Sequence, residues 1–171
     1  RQGLHRNQPA IAHIIFQQEY YCLNPDLHLW TDVEEFQERL RSAKMLADHG
    51  DSSGSMREYQ AAEILYQGEF LEEDRYEDWL MAQRQSLHND FISLLERLSE
   101  FHYAQQNLDE CKRLCAKMLA ADPCREEAHY RLIQCYYRQG YPYLAIRQYH
   151  LCVEMLQAEL GVAPAASTTA L

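Results

Sequence analysis

The sequence predicts an all-α protein, a right-handed stack of antiparallel helix hairpins with a short β-hairpin at its amino end. Three observations lead there. From Val33 to Leu156 apolar residues recur mainly at three- and four-residue intervals. Gly and Pro are few, and residues such as Gly68, Pro123, Gly140 and Pro142 separate the periodic runs. The second half also repeats itself at a spacing of 34: Leu98 with Leu132, Cys111 with Ala145, Cys115 with Tyr149, Met118 with Cys152. A unit of that length reads as helix, turn, helix, and it buries its apolar face only by stacking on the next.

Taken in order, Ile11 to Leu23 is dense in apolar and aromatic residues around a polar centre, which permits two short strands with a polar turn, or one strand and a loop. Pro25 ends the second strand. A helix can start at Thr31 or Asp32, since Thr31 with Glu34 has the spacing of a capping box and Asp32 with Glu35 repeats it one residue later. Val33, Phe36, Leu40, Ala43, Met45, Leu46 and Ala47 give the helix its apolar face. The run from His49 to Ser55 reads as the connection that ends it. A second helix, with Met56, Tyr59, Ala62, Ile64, Leu65 and Tyr66, packs back and stops near Gly68.

A longer helix is predicted from Tyr76 or Trp79 to about Gln106, a stretch free of Gly and Pro, with Glu77 and Asp78 beside its positive dipole end. Asn107 to Asp109 makes the next turn, and the helix carrying Cys111, Leu114, Cys115 and Met118 finishes before Asp122-Pro123. Arg125 to Gln139 follows, closed by Gly140. Pro142 opens the last helix, where its missing amide costs little, and Gly161 closes it. Residues 161–171 read as a flexible tail, residues 31–160 as the helical domain, and residues 1–30 as a terminal hairpin or linker.

At the 34-residue spacing these units resemble tetratricopeptide repeats. Leu98 and Leu132 take the large apolar place of the first helix, and Gln106 and Gly140 stand at the turn. Cys111 and Ala145 are the small residues of the second helix, and Cys115 and Tyr149 occupy the aromatic place. Pro123 closes the first unit. In repeats of this type the first helix of each pair lines the concave side, which makes Tyr103, Tyr130, Gln134, Tyr137 and Arg138 the candidates for partner contact. Packing against neighbouring helices explains the same spacing, and both readings stand at this level.

Over residues 14–165 the order of motifs resembles the bacterial transcriptional activator domain of SARP-type regulators. The resemblance rests on Thr31-Asp32-Val33-Glu34-Glu35-Phe36, Tyr66-Gln67-Gly68-Glu69-Phe70-Leu71, Tyr76-Glu77-Asp78-Trp79, Arg125-Glu126-Glu127-Ala128-His129 and Glu159-Leu160-Gly161-Val162-Ala163-Pro164. It implies that a winged-helix, DNA-binding module precedes this domain, with Phe16 to Leu23 as its last hairpin and Glu19 standing where glycine is usual. It also implies that Phe70, Tyr76 and Trp79 brace the join between early and later hairpins. The expected function is regulation of transcription through a protein partner, self-association or contact with the transcription machinery. The alternative is a free-standing helical-repeat adaptor without a transcriptional role.

Charge and chemistry narrow the function further. The formal net charge is −10, with Glu69, Glu72, Glu73, Asp74, Glu77 and Asp78 clustered around Arg75 alone, which opposes condensation on nucleic acid. DNA contact is therefore expected only through the missing winged helix, as the opening Arg1-Gln2-Gly3 suits a piece of a longer protein. The six cysteines lack secreted-domain spacing and suit a reduced, cytoplasmic chain. No run approaches the roughly 20 apolar residues that span a bilayer, so no membrane is expected among the partners. Cys111 and Cys115 lie one turn apart, yet His102 and His129 supply no evident further ligands. With no HExxH, phosphate loop or nucleophile elbow among these residues, neither catalysis, metal nor cofactor is expected.

Overall fold

The computed structural model describes residues 13–17, 19–24, 27, 30–71 and 78–170. Its elements are β1 (Ile14–Gln17), β2 (Tyr20–Leu23), α1 (Asp32–Asp48), α2 (Ser52–Leu65), α3 (Asp78–Ala104), α4 (Leu108–Ala121), α5 (Glu126–Arg138), α6 (Pro142–Leu160) and the single turn α7 (Ala166–Thr169). The strands pair antiparallel, Ile14 opposite Leu23 and Gln17 opposite Tyr20. Glu19 takes φ 69° in the turn between them, so the left-handed conformation persists without glycine. Helices pair as α1 with α2, α3 with α4 and α5 with α6, and α4 packs on α5 to join the last two pairs.

The tips of the three hairpins share one turn. Gly50, Gln106 and Gly140 adopt φ of 81°, 60° and 77°. At each tip the amide of this residue donates to the carbonyl three residues back: Gly50 to Ala47 at 3.0 Å, Gln106 to Tyr103 at 3.1 Å, Gly140 to Tyr137 at 3.0 Å. The next amide reaches five back: Asp51 to Leu46, Asn107 to His102 and Tyr141 to Tyr136, each at 2.9 Å. These are the two hydrogen bonds of a Schellman closure. The residue that makes the second bond is also the N-cap of the following helix. Asp51 and Asn107 cap with their side chains, accepting from Gly54 and Glu110, whereas Tyr141 does not and is followed by Pro142 at N1.

The first tip corrects the sequence reading. His49 to Ser55 is not all connection, since α2 begins at Ser52 and takes in Gly54 and Ser55, both buried. The Asp51 carboxylate accepts from the Gly54 amide at 2.8 Å, and a Cβ on Gly54 would lie 2.2 Å from Asp51 Oδ2. Glycine there makes room for the cap rather than for a bend. On α1 the buried face is Phe36, Leu40 and Ala43, while Met45 and Ala47 are exposed; on α2, Ile64 is exposed. Thr31 caps α1 as expected, accepting from the Glu34 amide at 3.2 Å, while its hydroxyl donates to the Glu34 carboxylate at 3.0 Å.

The core runs continuously from α1 to α5, through Phe36, Leu40, Tyr59, Phe91, Leu94, Leu98, Leu114, Met118 and Leu132. Each large side chain buried there contributes roughly 1.5–3 kcal/mol before entropy is counted. Tyr66 stacks on Phe91 with ring centroids 3.9 Å apart and meets Phe36 at 5.7 Å, which seats the first hairpin on α3. Phe70 packs against this core, and its carbonyl accepts from Arg84 at 2.7 Å. Trp79 falls in the first turn of α3; its side chain and residue Tyr76 lie outside the described residues.

Two polar clusters tie non-neighbouring segments. The Glu63 side chain is only 10% exposed and accepts from Arg113 at 2.9 Å and Lys117 at 2.8 Å, joining α2 to α4. Burial works against its charge, but the hydrogen bonds from Arg113 and Lys117 outweigh it and hold the carboxyl below the usual glutamate range. His129 is buried, one ring nitrogen 3.0 Å from the Pro123 carbonyl and the other 2.7 Å from the Gln148 amide nitrogen. A carbonyl oxygen can only accept, so Nε2 donates to Pro123.

The tail reading is corrected in part. The Ala165 amide donates to Glu126 at 2.8 Å, Ala166–Thr169 form one helical turn, and Thr168 is buried. A short stretch of small residues thus docks through the bond of its first amide to Glu126 on α5 and the burial of Thr168 beside the groove, an effect that composition does not register.

Candidate partner-binding groove

Two side-chain stripes build the groove. Along α5, Ile133, Gln134, Tyr137 and Arg138 recur at the spacing that places residues on one helical face, and along α6, Pro142, Ala145, Ile146 and Tyr149 do the same. Between them lies a cavity of about 630 Å³, closed by Tyr103 from the end of α3 and by Thr168 and Thr169 from α7. Ala145 keeps the space open, since a larger side chain there would fill it. Most of the wall is apolar or aromatic, with a few polar groups among it, the usual make-up of a binding pocket.

The polar groups are distinctive. Arg138 lies over the Tyr103 ring with its guanidinium carbon 4.2 Å from the centroid, and Arg131 lies 5.1 Å from the same ring. Cation–π contact orients a guanidinium without neutralising it. Burial pushes the Tyr103 phenol above its ordinary range, with Arg138 opposing. The Gln134 Oε1 atom is shielded from solvent and accepts no hydrogen bond among the described residues. A buried acceptor of this kind forfeits its hydration unless a donor reaches it.

The structure gathers Tyr103, Gln134, Tyr137 and Arg138 around one cavity. Tyr130 is half-buried one turn earlier on α5 and does not line it. Of the structural positions, Leu98, Cys111, Cys115, Leu132 and Ala145 are buried, and Gly140 holds the left-handed turn. Tyr149, at the aromatic place of the second unit, forms a groove wall. Ile133, Ile146, Thr168 and Thr169 were not legible as groove residues; Ile146 carried a signal in its place beside Ala145 on the apolar face of α6.

The cysteines serve packing. Cys111 Sγ and Cys135 Sγ are 3.5 Å apart across the α4–α5 junction. The Cys115 thiol beside it, then burial, push the Cys111 thiol up to about 12, the Cys135 thiol opposing. A thiol so held is a poor nucleophile. No group of three or more metal-ligating side chains occurs among the described residues.

Fold and groove together define a scaffold of paired helices with an open groove between α5 and α6, the class of helical-repeat proteins. The chain belongs to the bacterial transcriptional activator domain family, whose model matches residues 31–171. The family is one of domains of bacterial transcriptional activators. Among solved structures it is similar to Mycobacterium tuberculosis EmbR in complex with a low-affinity phosphopeptide, at 20% identity and a TM-score of 0.69. That match covers 92% of this chain but only 41% of the EmbR chain. The C-terminal TPR-containing domain of a Plasmodium falciparum FK506-binding protein matches at 15% identity and a TM-score of 0.55, covering 77% of this chain and 85% of that one. No curated protein matches the sequence at significance. No helix among the described residues is long and apolar enough to cross a membrane.

Proposed function

We propose that the groove between α5 and α6 is where this domain holds a segment of a protein partner, and that this contact regulates a transcription factor whose DNA-binding module lies mainly outside this domain. The cavity with an unsatisfied Gln134 acceptor and an open aromatic wall carries the reading. In this division residues 1–30 are the end of the winged-helix module, residues 31–160 the activator domain and residues 161–171 the segment leading away from it. The protein acts in the cytoplasm. Tyr103, Gln134, Tyr137 and Arg138 contact the partner, and Tyr130 supports Tyr103 from beside the groove. The net charge of −10 keeps this domain off the phosphate backbone.

The test is site-specific photo-crosslinking from position 137 in the full-length regulator, mixed with transcription machinery and promoter DNA. A crosslink to a different protein is expected, lost when Ile146→Glu places a charge on the exposed wall of the groove with the fold intact by circular dichroism. Crosslinks to the regulator itself alone would replace this reading with self-association. A second measurement is anisotropy of duplex DNA with residues 1–171, for which weak, sequence-indifferent binding is expected.

A further inference from the structure

We propose that the segment held in this groove is acidic, a short stretch with an apolar anchor flanked by carboxylates. The proposal rests on the groove being the partner site and adds the chemistry of the occupant. The anchor enters the cavity among Ile133, Ala145, Ile146 and Tyr149. A neighbouring carboxylate meets Arg138, and a backbone amide of the segment donates to Gln134 Oε1.

The argument begins from an imbalance in charge. The chain carries 26 acidic against 16 basic residues, and what calls for explanation is an unpaired cation held over an aromatic ring at the wall of a cavity. Four arginines of the helical stack are paired with carboxylates among the described residues, Arg39 with Glu35 and Glu58, Arg41 with Glu38, Arg113 with Glu63 and Glu110, Arg125 with Glu96. Arg57, Arg97 and Arg147, which form no ion pair there, do not line the groove. Arg131 and Arg138 form no ion pair among the described residues, and both face the ring of Tyr103. Stacking fixes their direction while leaving each full positive charge, and the planar hydrogen-bond donors of Arg138, unused at the groove mouth. A basic segment would meet Arg138 as a like charge, and a neutral one would leave it without a counter-ion. Gln134 asks for a donor in the same place, and an extended backbone offers amides at regular intervals.

The experiment measures anisotropy of three labelled peptides on residues 1–171. All share Leu and Phe anchors, and they differ in carrying flanking Glu, Gln or Lys. Binding of the Glu peptide about fivefold or more above the Gln peptide is expected, the scale of one partly screened charge contact. The preference should shrink as salt rises, vanish in Arg138→Gln and be recovered only in part by Arg138→Lys, which keeps the charge but not the planar stack. Arg138 is exposed, so these variants test recognition and not folding. Equal binding of the Glu and Gln peptides in competition with each other, or preference for Lys, overturns the acidic assignment while leaving the groove as the partner site. Absence of binding by every peptide also overturns it. The fate of the groove reading is then decided by the position 137 crosslink, so the two failures are told apart.

Discussion

The two 34-residue units have the same turn and contrasting surroundings. In the first, Cys111, Leu114, Cys115 and Met118 on α4 are all buried, because α3 and α5 both pack against that helix. In the second, only Ala145, Cys152 and Leu156 on α6 are buried, and Ile146, Tyr143 and Leu151 are exposed. The chemistry of the repeat positions is alike, so the difference comes from place in the stack. An interior hairpin spends its second helix on neighbours. The α5–α6 hairpin, with only the short α7 on its far side among the described residues, has a face uncovered there, and on it the groove lies.

That contrast can be broken most strongly at the matched small positions. Cys111→Leu should overpack a fully enclosed junction and destabilise by about 2–3 kcal/mol, whereas Ala145→Leu should cost about 1 kcal/mol by expanding into the cavity. Urea melts of the two variants measure it, and equal losses would mean that α6 is as enclosed as α4. Ala145→Leu should also abolish partner binding.

Glu63→Gln should cost about 1–2 kcal/mol, less than a fully buried pair because Arg113 and Lys117 are partly exposed. Its pH dependence has a definite sign. The folded carboxyl titrates below the unfolded one, so the stabilisation is complete above the ordinary glutamate range of about 4.3. It then fades as pH falls through the lower folded value. Melting temperatures of native protein and variant should diverge at neutral pH and converge in acid.

The turn supplies a finer comparison. Gln106 and Gly140 hold equivalent left-handed conformations, yet only one is glycine. Gln106→Gly should stabilise by about 0.5–1 kcal/mol and Gly140→Ala should destabilise by about 1 kcal/mol, both read by chemical denaturation. The smallest effect on stability is expected at Tyr137, which is 72% exposed. Tyr137→Ala should change it by less than about 0.5 kcal/mol while weakening the partner contact at least tenfold, the range of a buried aromatic contact at an interface.

Much of this architecture was legible in the sequence because its signals are local. The Thr31 cap, the Gly140 closure, Pro142 at a helix start and the small residues at 111 and 145 each act within one turn or one repeat. Tyr103, Gln134, Tyr137 and Arg138 came from the same periodicity. What escaped depends on contacts between distant segments. Gly54 and Ser55 look like loop residues until Asp51 caps them into a helix. Glu63 reads as a solvent-facing charge until α4 brings Arg113 and Lys117 to it, and His129 gives no hint of Pro123 and Gln148. Thr168 needed the surface of the last hairpin to become buried.

At each hairpin tip one amino acid finishes the outgoing helix and starts the returning one: Asp51, Asn107 or Tyr141. No slack exists at these corners. Adding a single glycine after any of them would sever an ending from a beginning, uncoupling the two arms in register as well as angle. The corners are therefore the wrong places for tags or reporters, and their tightness lets a displacement felt along one arm reach the other without being absorbed on the way.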